Sequence, residues 1–128
     1  MTPQKVLIVD DSLITVKKLT AMLETMGHKV AGTAGSGAKA LEEYRALRPD
    51  LVTMDITMPD MDGVEATRRI VSEFPEALII MVTSHGQERM VLDALDAGAQ
   101  GYVLKPVHPQ KLADMIAKVK QRLGRAPA

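Results

Sequence analysis

The chain of 128 residues contains no cysteine. That excludes disulfides, thiolate metal sites and thiol catalysis, and it fits a reducing compartment. Net charge is absent too, because sixteen basic residues cancel sixteen acidic ones. With no field of one sign, bulk electrostatic attachment to nucleic acid or to an anionic membrane is not expected. Long apolar runs are also missing near the start, where MTPQKVLIVDDS has one lysine and a short apolar stretch that aspartates interrupt. It is neither a signal peptide nor a membrane span, so a cytoplasmic location is expected. No internal repeat, linker or low-complexity tract divides the chain, and its length suits one domain with a substantial core.

What is present is an alternation of strand-like and helix-like segments. KVLIV (5–9) is a continuous apolar run of the kind buried on both faces of a sheet. Leu13, Val16, Leu19, Leu23 and Met26 then recur at helical spacing, with Ser12 at the N-cap position and Gly27 as a stop. KVAGTA (29–34) is a weaker strand, and Ser36 opens a helix through Ala40, Leu41 and Leu47 that ends before Pro49. LVTMD (51–55) is a third strand, followed by the turn-rich ITMPDMDG and a helix carrying Val64, Ile70 and Val71. Pro59 and Gly63 read as turn formers. ALIIMVTS (77–84) is the most apolar strand. A helix from about Gln87 to Ala97 stops at Gly98, and GYVLK (101–105) is the fifth strand. Leu112, Met115, Ile116, Val119 and Leu123 mark a last helix after Pro109, and GRAPA reads as a frayed tail. Five strands alternating with five helices predict a three-layer α/β domain, a parallel sheet with helices on both faces.

Parallel strands deliver their carboxyl-terminal residues to one rim, where open sheets bind ligands. Here that rim receives Asp10 and Asp11 from the first strand, Asp55 from the third, Thr83 and Ser84 from the fourth, and Lys105 from the fifth. A lone pair of aspartates would read as a helix start, where acids are common. Three carboxylates together are different. Like charges about 4 Å apart repel by roughly 4 kcal/mol at an effective dielectric near 20, so the cluster calls for a cation. A small all-oxygen donor set suits Mg²⁺, which keeps several of its waters.

VLIVDDS, LVTMDITMPDMDG, IIMVTS and GYVLKP resemble, in order and spacing along the whole chain, the signature blocks of two-component response-regulator receiver domains. The resemblance implies the flavodoxin-like, CheY-like (βα)5 fold with strand order 2-1-3-4-5. It implies a receiver over residues 1–124 and a tail over 125–128. It makes Asp55 the acceptor of a phosphoryl group from a partner histidine kinase. Asp11, Asp55 and the Thr57 backbone carbonyl would ligate Mg²⁺, with Mn²⁺ able to substitute, and Asp10 would act through water. Lys105 would neutralise charge on the transferring group. Thr83 matches the switch hydroxyl, Tyr102 the aromatic that moves inward behind it, and Lys105-Pro106 a cis peptide. Thr57 and His85 flank the expected path of attacking water, although His85 reads equally well as an idle surface imidazole. His28 and His108 read as surface residues.

Two competing classes fare worse. A haloacid-dehalogenase-type phosphatase needs D-x-D-x-T after its first strand, and this chain has DDSLI. A flavodoxin-like FMN carrier needs a hydroxyl- and glycine-rich phosphate loop there, where DDSLI would repel phosphate. GSGAKA (35–40) satisfies a loose dinucleotide pattern, but it follows an edge strand, away from the reversal of strand order. It reads as a loop and a helix start.

The expected function is that of a phosphorylation-switched binding module and not of a conventional enzyme. Its chemistry would be limited to self-phosphorylation from a donor and autodephosphorylation. A target protein would dock on the face of the fourth helix, fifth strand and fifth helix, in chemotaxis or another pathway. No output domain follows residue 128, which favours binding as the output. The alternatives are a phosphorelay intermediate serving a histidine phosphotransferase, or a receiver excised from a longer regulator. A monomer is expected, with pairing on phosphorylation left open.

Overall fold

The computed structural model describes residues 3–84 and 88–125, with side chains as far as Gln121. Five strands, β1 (Lys5–Val9), β2 (Lys29–Ala34), β3 (Leu51–Met54), β4 (Ile79–Thr83) and β5 (Gly101–Leu104), alternate with five helices. The helices are α1 (Leu13–Thr25), α2 (Gly37–Leu47), α3 (Gly63–Glu73), α4 (Glu88–Ala97) and α5 (Pro109–Arg125). All four strand pairings are parallel, and the order is β2-β1-β3-β4-β5. This is the CheY-like α/β fold, with the reversal of order between β1 and β3.

Alternate residues of the central strands β1, β3 and β4 supply two separate cores. Val6, Ile8, Leu51, Ile80, Val82 and Val103 pack with Leu19 and Leu23 of α1 and Leu112, Ile116 and Val119 of α5. Leu7, Val9, Val52, Met54, Ile79 and Met81 pack with residues of α2, α3 and α4, including Leu41, Tyr44, Ile70 and Ala94. Both faces of the central strands are therefore dry, which is why their sequences do not alternate. The edge strand β2 is weaker for the same reason: Ala34 is its one buried residue.

Local signals fix the helix ends. Ser12 and Ser36 cap α1 and α2 by accepting from the amides of Thr15 and Lys39. After α1, Gly27 takes φ +91°. Its N–H donates to the Glu24 carbonyl and that of His28 to Leu23, a Schellman closure. Gly98, with Ala99, closes α4 in the same way. Arg48 ends α2 at φ 45°, because the proline that follows disfavours the right-handed region.

The structure corrects two readings. His28 is buried, not superficial, and its Nδ1 accepts from the Gln4 amide at 3.0 Å. Gly63 is not a turn residue. It is the first residue of α3, and a Cβ there would lie 1.9 Å from the Asp55 carbonyl oxygen.

Candidate functional site

The site grows out of the sheet itself. Beyond each strand's last paired residue the hydrogen-bond ladder runs on. Asp10 N donates to Ala34 O, Asp55 N to Val9 O, and Lys105 N to Thr83 O, all within 2.8–2.9 Å. The register Val9–Met54 sets the ends of β1 and β3 level, and β4 and β5 run about two residues further, so Lys105 reaches back over the rim. Asp10 and Asp55 therefore start from hydrogen-bonded backbone on the two strands that flank the order reversal, and Lys105 from the end of β5, two strands away from β3.

One carboxylate oxygen from each of Asp10, Asp11 and Asp55 lies within 4.8 Å of the other two. Asp10 and Asp55 are buried, and Asp11 is exposed. Lys105 reaches in from β5, its Nζ 2.8 Å from Asp10 Oδ2 and 3.5 Å from Asp55 Oδ1. Asp10 Oδ1 accepts from the Ser12 amide and Asp55 Oδ1 from the Ile56 amide. Asp10 thus has both oxygens engaged. Burial pushes the Asp55 carboxyl up, and the Asp10 carboxylate pushes it further, against the opposing pull of Lys105 and the Ile56 amide.

Three carboxylates against one ammonium leave a local charge of minus two. At separations near 4.8 Å each carboxylate pair still repels by about 3 kcal/mol at an effective dielectric of 20. A hard divalent cation matches both the deficit and the all-oxygen donors. The residues present fit such a cation.

The remaining expected residues take distinct places. Thr83 is buried at the end of β4, while Ser84 and Thr57 are exposed beside the rim. Tyr102 lies on β5 with 39% of its surface exposed. The Lys105-Pro106 peptide is cis. His85 falls outside the described residues. Among loop residues, sequence reasoning missed Asp60. Its Oδ1 and Oδ2 each accept at 2.9 Å from the amides of Gly37 and Ala38, at the start of α2. That carboxylate fills the position a dinucleotide phosphate would need in GSGAKA, so the dinucleotide reading fails on geometry as well as on topology.

Residues 6–117 match the family model described as response regulator receiver domain. The chain belongs to this receiver family. The chemotaxis protein CheY of Thermotoga maritima is 41% identical over 118 residues, 92% of this chain and 98% of that protein. The chemotaxis protein CheY of Bacillus subtilis is 41% identical over 114 residues, covering 89% and 95%. Among solved structures, the CheX–CheY–BeF3–Mg²⁺ complex of Borrelia burgdorferi aligns with a TM-score of 0.89 at 38% identity, covering 91% of this chain and 89% of that one. Receiver domains belong to two-component signalling and are phosphoacceptors rather than classical enzymes. The acidic triad here is of the kind that holds Mg²⁺, and the Borrelia structure contains that ion. No helix among the described residues is long and apolar enough to cross a membrane.

Proposed function

We propose that this receiver takes a phosphoryl group from a histidine kinase onto Asp55 and thereby changes the binding of a partner protein. The observation that carries the reading is the joint approach of Asp10, Asp11, Asp55 and Lys105 at one sheet edge. Asp11, Asp55 and the Thr57 carbonyl are assigned to hold Mg²⁺ directly. Asp10 acts through water, in keeping with its two engaged oxygens. Mn²⁺ should serve in its place. The bound ion supplies neutralisation of charge on the phosphoryl group.

The chain's own residues do the rest. The Ile56 amide fixes Asp55 Oδ1 and so orients the carboxylate, and we assign the attack to Oδ2. The new Oδ2–P bond forms as the P–N bond to the donor histidine breaks, and the imidazole leaves with the electron pair. Lys105, already between the two buried carboxylates, needs only a small shift to meet the added charge. Thr83 is the hydroxyl assigned to a phosphoryl oxygen. Tyr102, now outward, is the ring whose inward movement would report it at the surface.

The receiving face is α4, β5 and α5. Leu92, Leu95, Tyr102 and Leu104 leave between 39% and 51% of their surfaces exposed there. Phosphorylation and partner must favour the same conformation, and each then strengthens the other. The similarity to chemotaxis proteins named CheY supports a chemotactic pathway. The receiver is taken as residues 1–124; Arg125, assigned to the tail, is still helical as the last residue of α5.

Intact-protein mass spectrometry after incubation with acetyl phosphate and Mg²⁺ tests the reading. We expect a gain of one phosphoryl group that Asp55→Asn and chelation each abolish. No gain with acetyl phosphate or phosphoramidate in the folded protein would overturn it.

A further inference from the structure

The loop between β3 and α3 is held at three points, and only two of them belong to its base. At the base the Gly63 amide donates to the Ile56 carbonyl at 2.6 Å, and Gly63 sits directly on the Asp55 backbone. The third point is remote in sequence. Asp60, at the tip, spreads its two oxygens over the Gly37 and Ala38 amides at the start of α2. These amide donors, Ala38 foremost, hold the Asp60 carboxyl below the usual carboxylate range although it is exposed. Packing reinforces the tie: Met61 lies over Gly37 so closely that a Cβ there would stand 2.1 Å from Met61 Cγ.

We infer that Asp60 is a positioning residue for divalent-cation binding. It ties the loop to α2 and so holds the Thr57 carbonyl, which lies between tip and base, in place beside Asp55. The inference rests on the proposed assignment of the Thr57 carbonyl as a ligand. A six-residue loop fixed at its base alone keeps much of its backbone freedom, and that freedom must be lost when a carbonyl joins a cation. The Asp60 tie removes it beforehand. Among the described residues no hydrogen bond or ion pair joins Gly37, Ala38 or Asp60 to the acidic cluster, so the effect passes through loop order and not through a ligand donated to the ion.

The probe is Mn²⁺ alone, with free ion measured by electron paramagnetic resonance during titration. No phosphodonor is present. Asp60→Ala should weaken Mn²⁺ about tenfold, and Gly37→Ala, which displaces Met61, should weaken it several-fold. Asp60→Asn keeps one acceptor oxygen and should fall between Asp60→Ala and the unmutated protein. Asp50→Ala serves as a control for mere loss of stability. It removes a comparable side-chain bond, to the Lys5 amide, at the opposite end of the sheet, and should leave Mn²⁺ affinity unchanged. Should Asp60→Ala fail to fold, Asp60→Asn and Gly37→Ala decide the matter. Affinity within twofold of the unmutated protein in the folded loop variants would overturn the inference alone. Failure of the unmutated protein to bind Mn²⁺ would overturn the reading of the site and the inference with it.

Discussion

At the amino ends of β1 and β3, Lys5 and Asp50 exchange two hydrogen bonds, from Asp50 N to Lys5 O and from Lys5 N to Asp50 Oδ2. Beside them the buried His28 accepts from the Gln4 amide, while the Gln4 carbonyl accepts from Lys29 N. At the carboxyl ends of the same strands, two buried carboxylates share one lysine and a third carboxylate stands beside them at the surface. Burial acts on both ends by the same rule, disfavouring the charged form. It lowers the His28 pKa and so keeps a good acceptor neutral. It raises that of Asp55 and leaves an ionised carboxylate costly. One end matches polar groups in pairs and closes the fold. The other holds unbalanced negative charge that a divalent cation would relieve. Chemistry has been placed where the fold gives up stability.

Substitutions that change charge at the rim should therefore respond to divalent cations, while those that act through packing or at the amino ends should not. The largest effect expected is from Gly63→Ala, whose added Cβ would collide with the Asp55 carbonyl. A loss of roughly 4 kcal/mol or outright failure to fold should appear in urea unfolding, with little recovery on adding Mg²⁺. Lys105→Met should cost roughly 3 kcal/mol in cation-free buffer, since it leaves Asp10 and Asp55 without their ammonium. Here Mg²⁺ should narrow the deficit, and an equal deficit with and without Mg²⁺ would erase the contrast between the two ends.

His28→Ala should cost about 2 kcal/mol by orphaning the Gln4 amide, with no dependence on Mg²⁺. The same histidine predicts an acid slope. Its folded pKa lies below the ordinary 6.5, so the unfolded chain takes up the proton first. The stability it contributes is whole above about pH 6.5 and is lost as pH falls through the lower folded value. His28→Gln offers a neutral acceptor and should flatten that slope in thermal melts across pH 7 to 5.

The smallest effect has the opposite sign. Asp55 has a raised folded pKa, so its contribution is fully present below the ordinary aspartate range and is lost as pH rises through the folded value. At neutral pH the charged carboxylate is a burden. Asp55→Asn should raise the stability of the cation-free protein by about 1 kcal/mol and remove most of its response to Mg²⁺. A lowered melting temperature in Asp55→Asn would show that the rim is not under charge strain.

Much of this arrangement could be read from the chain, because local chemistry specified it. Continuous apolar runs ending at Asp10 and Asp55 marked buried strands and what they deliver to the rim. Ser12, Ser36 and Gly27 marked helix ends through hydrogen bonds made within a few residues. What escaped depends on contacts distant in sequence. Asp60 meets α2 across 22 or 23 positions, and no local pattern distinguishes it from another polar turn residue. His28 left a faint signal. It stands one place past the glycine of a Schellman closure, a position that commonly packs back on the helix, yet its Gln4 partner lies 24 residues away. Gly63 misled because a glycine after Asp-Met-Asp suggests a turn, while its real constraint is the backbone it touches.

The ladder that runs past the strand ends carries a consequence for exchange with solvent. The amides of Asp10, Asp55 and Lys105 are the last rungs of that ladder, each bonded to a carbonyl of a neighbouring strand. Deuterium should enter them more slowly than the unbonded amides of the loops around the rim, and most slowly at Asp55, which follows a central strand. The groups assigned to the chemistry would then sit on protected backbone, and loop motions around the rim would disturb their spacing little.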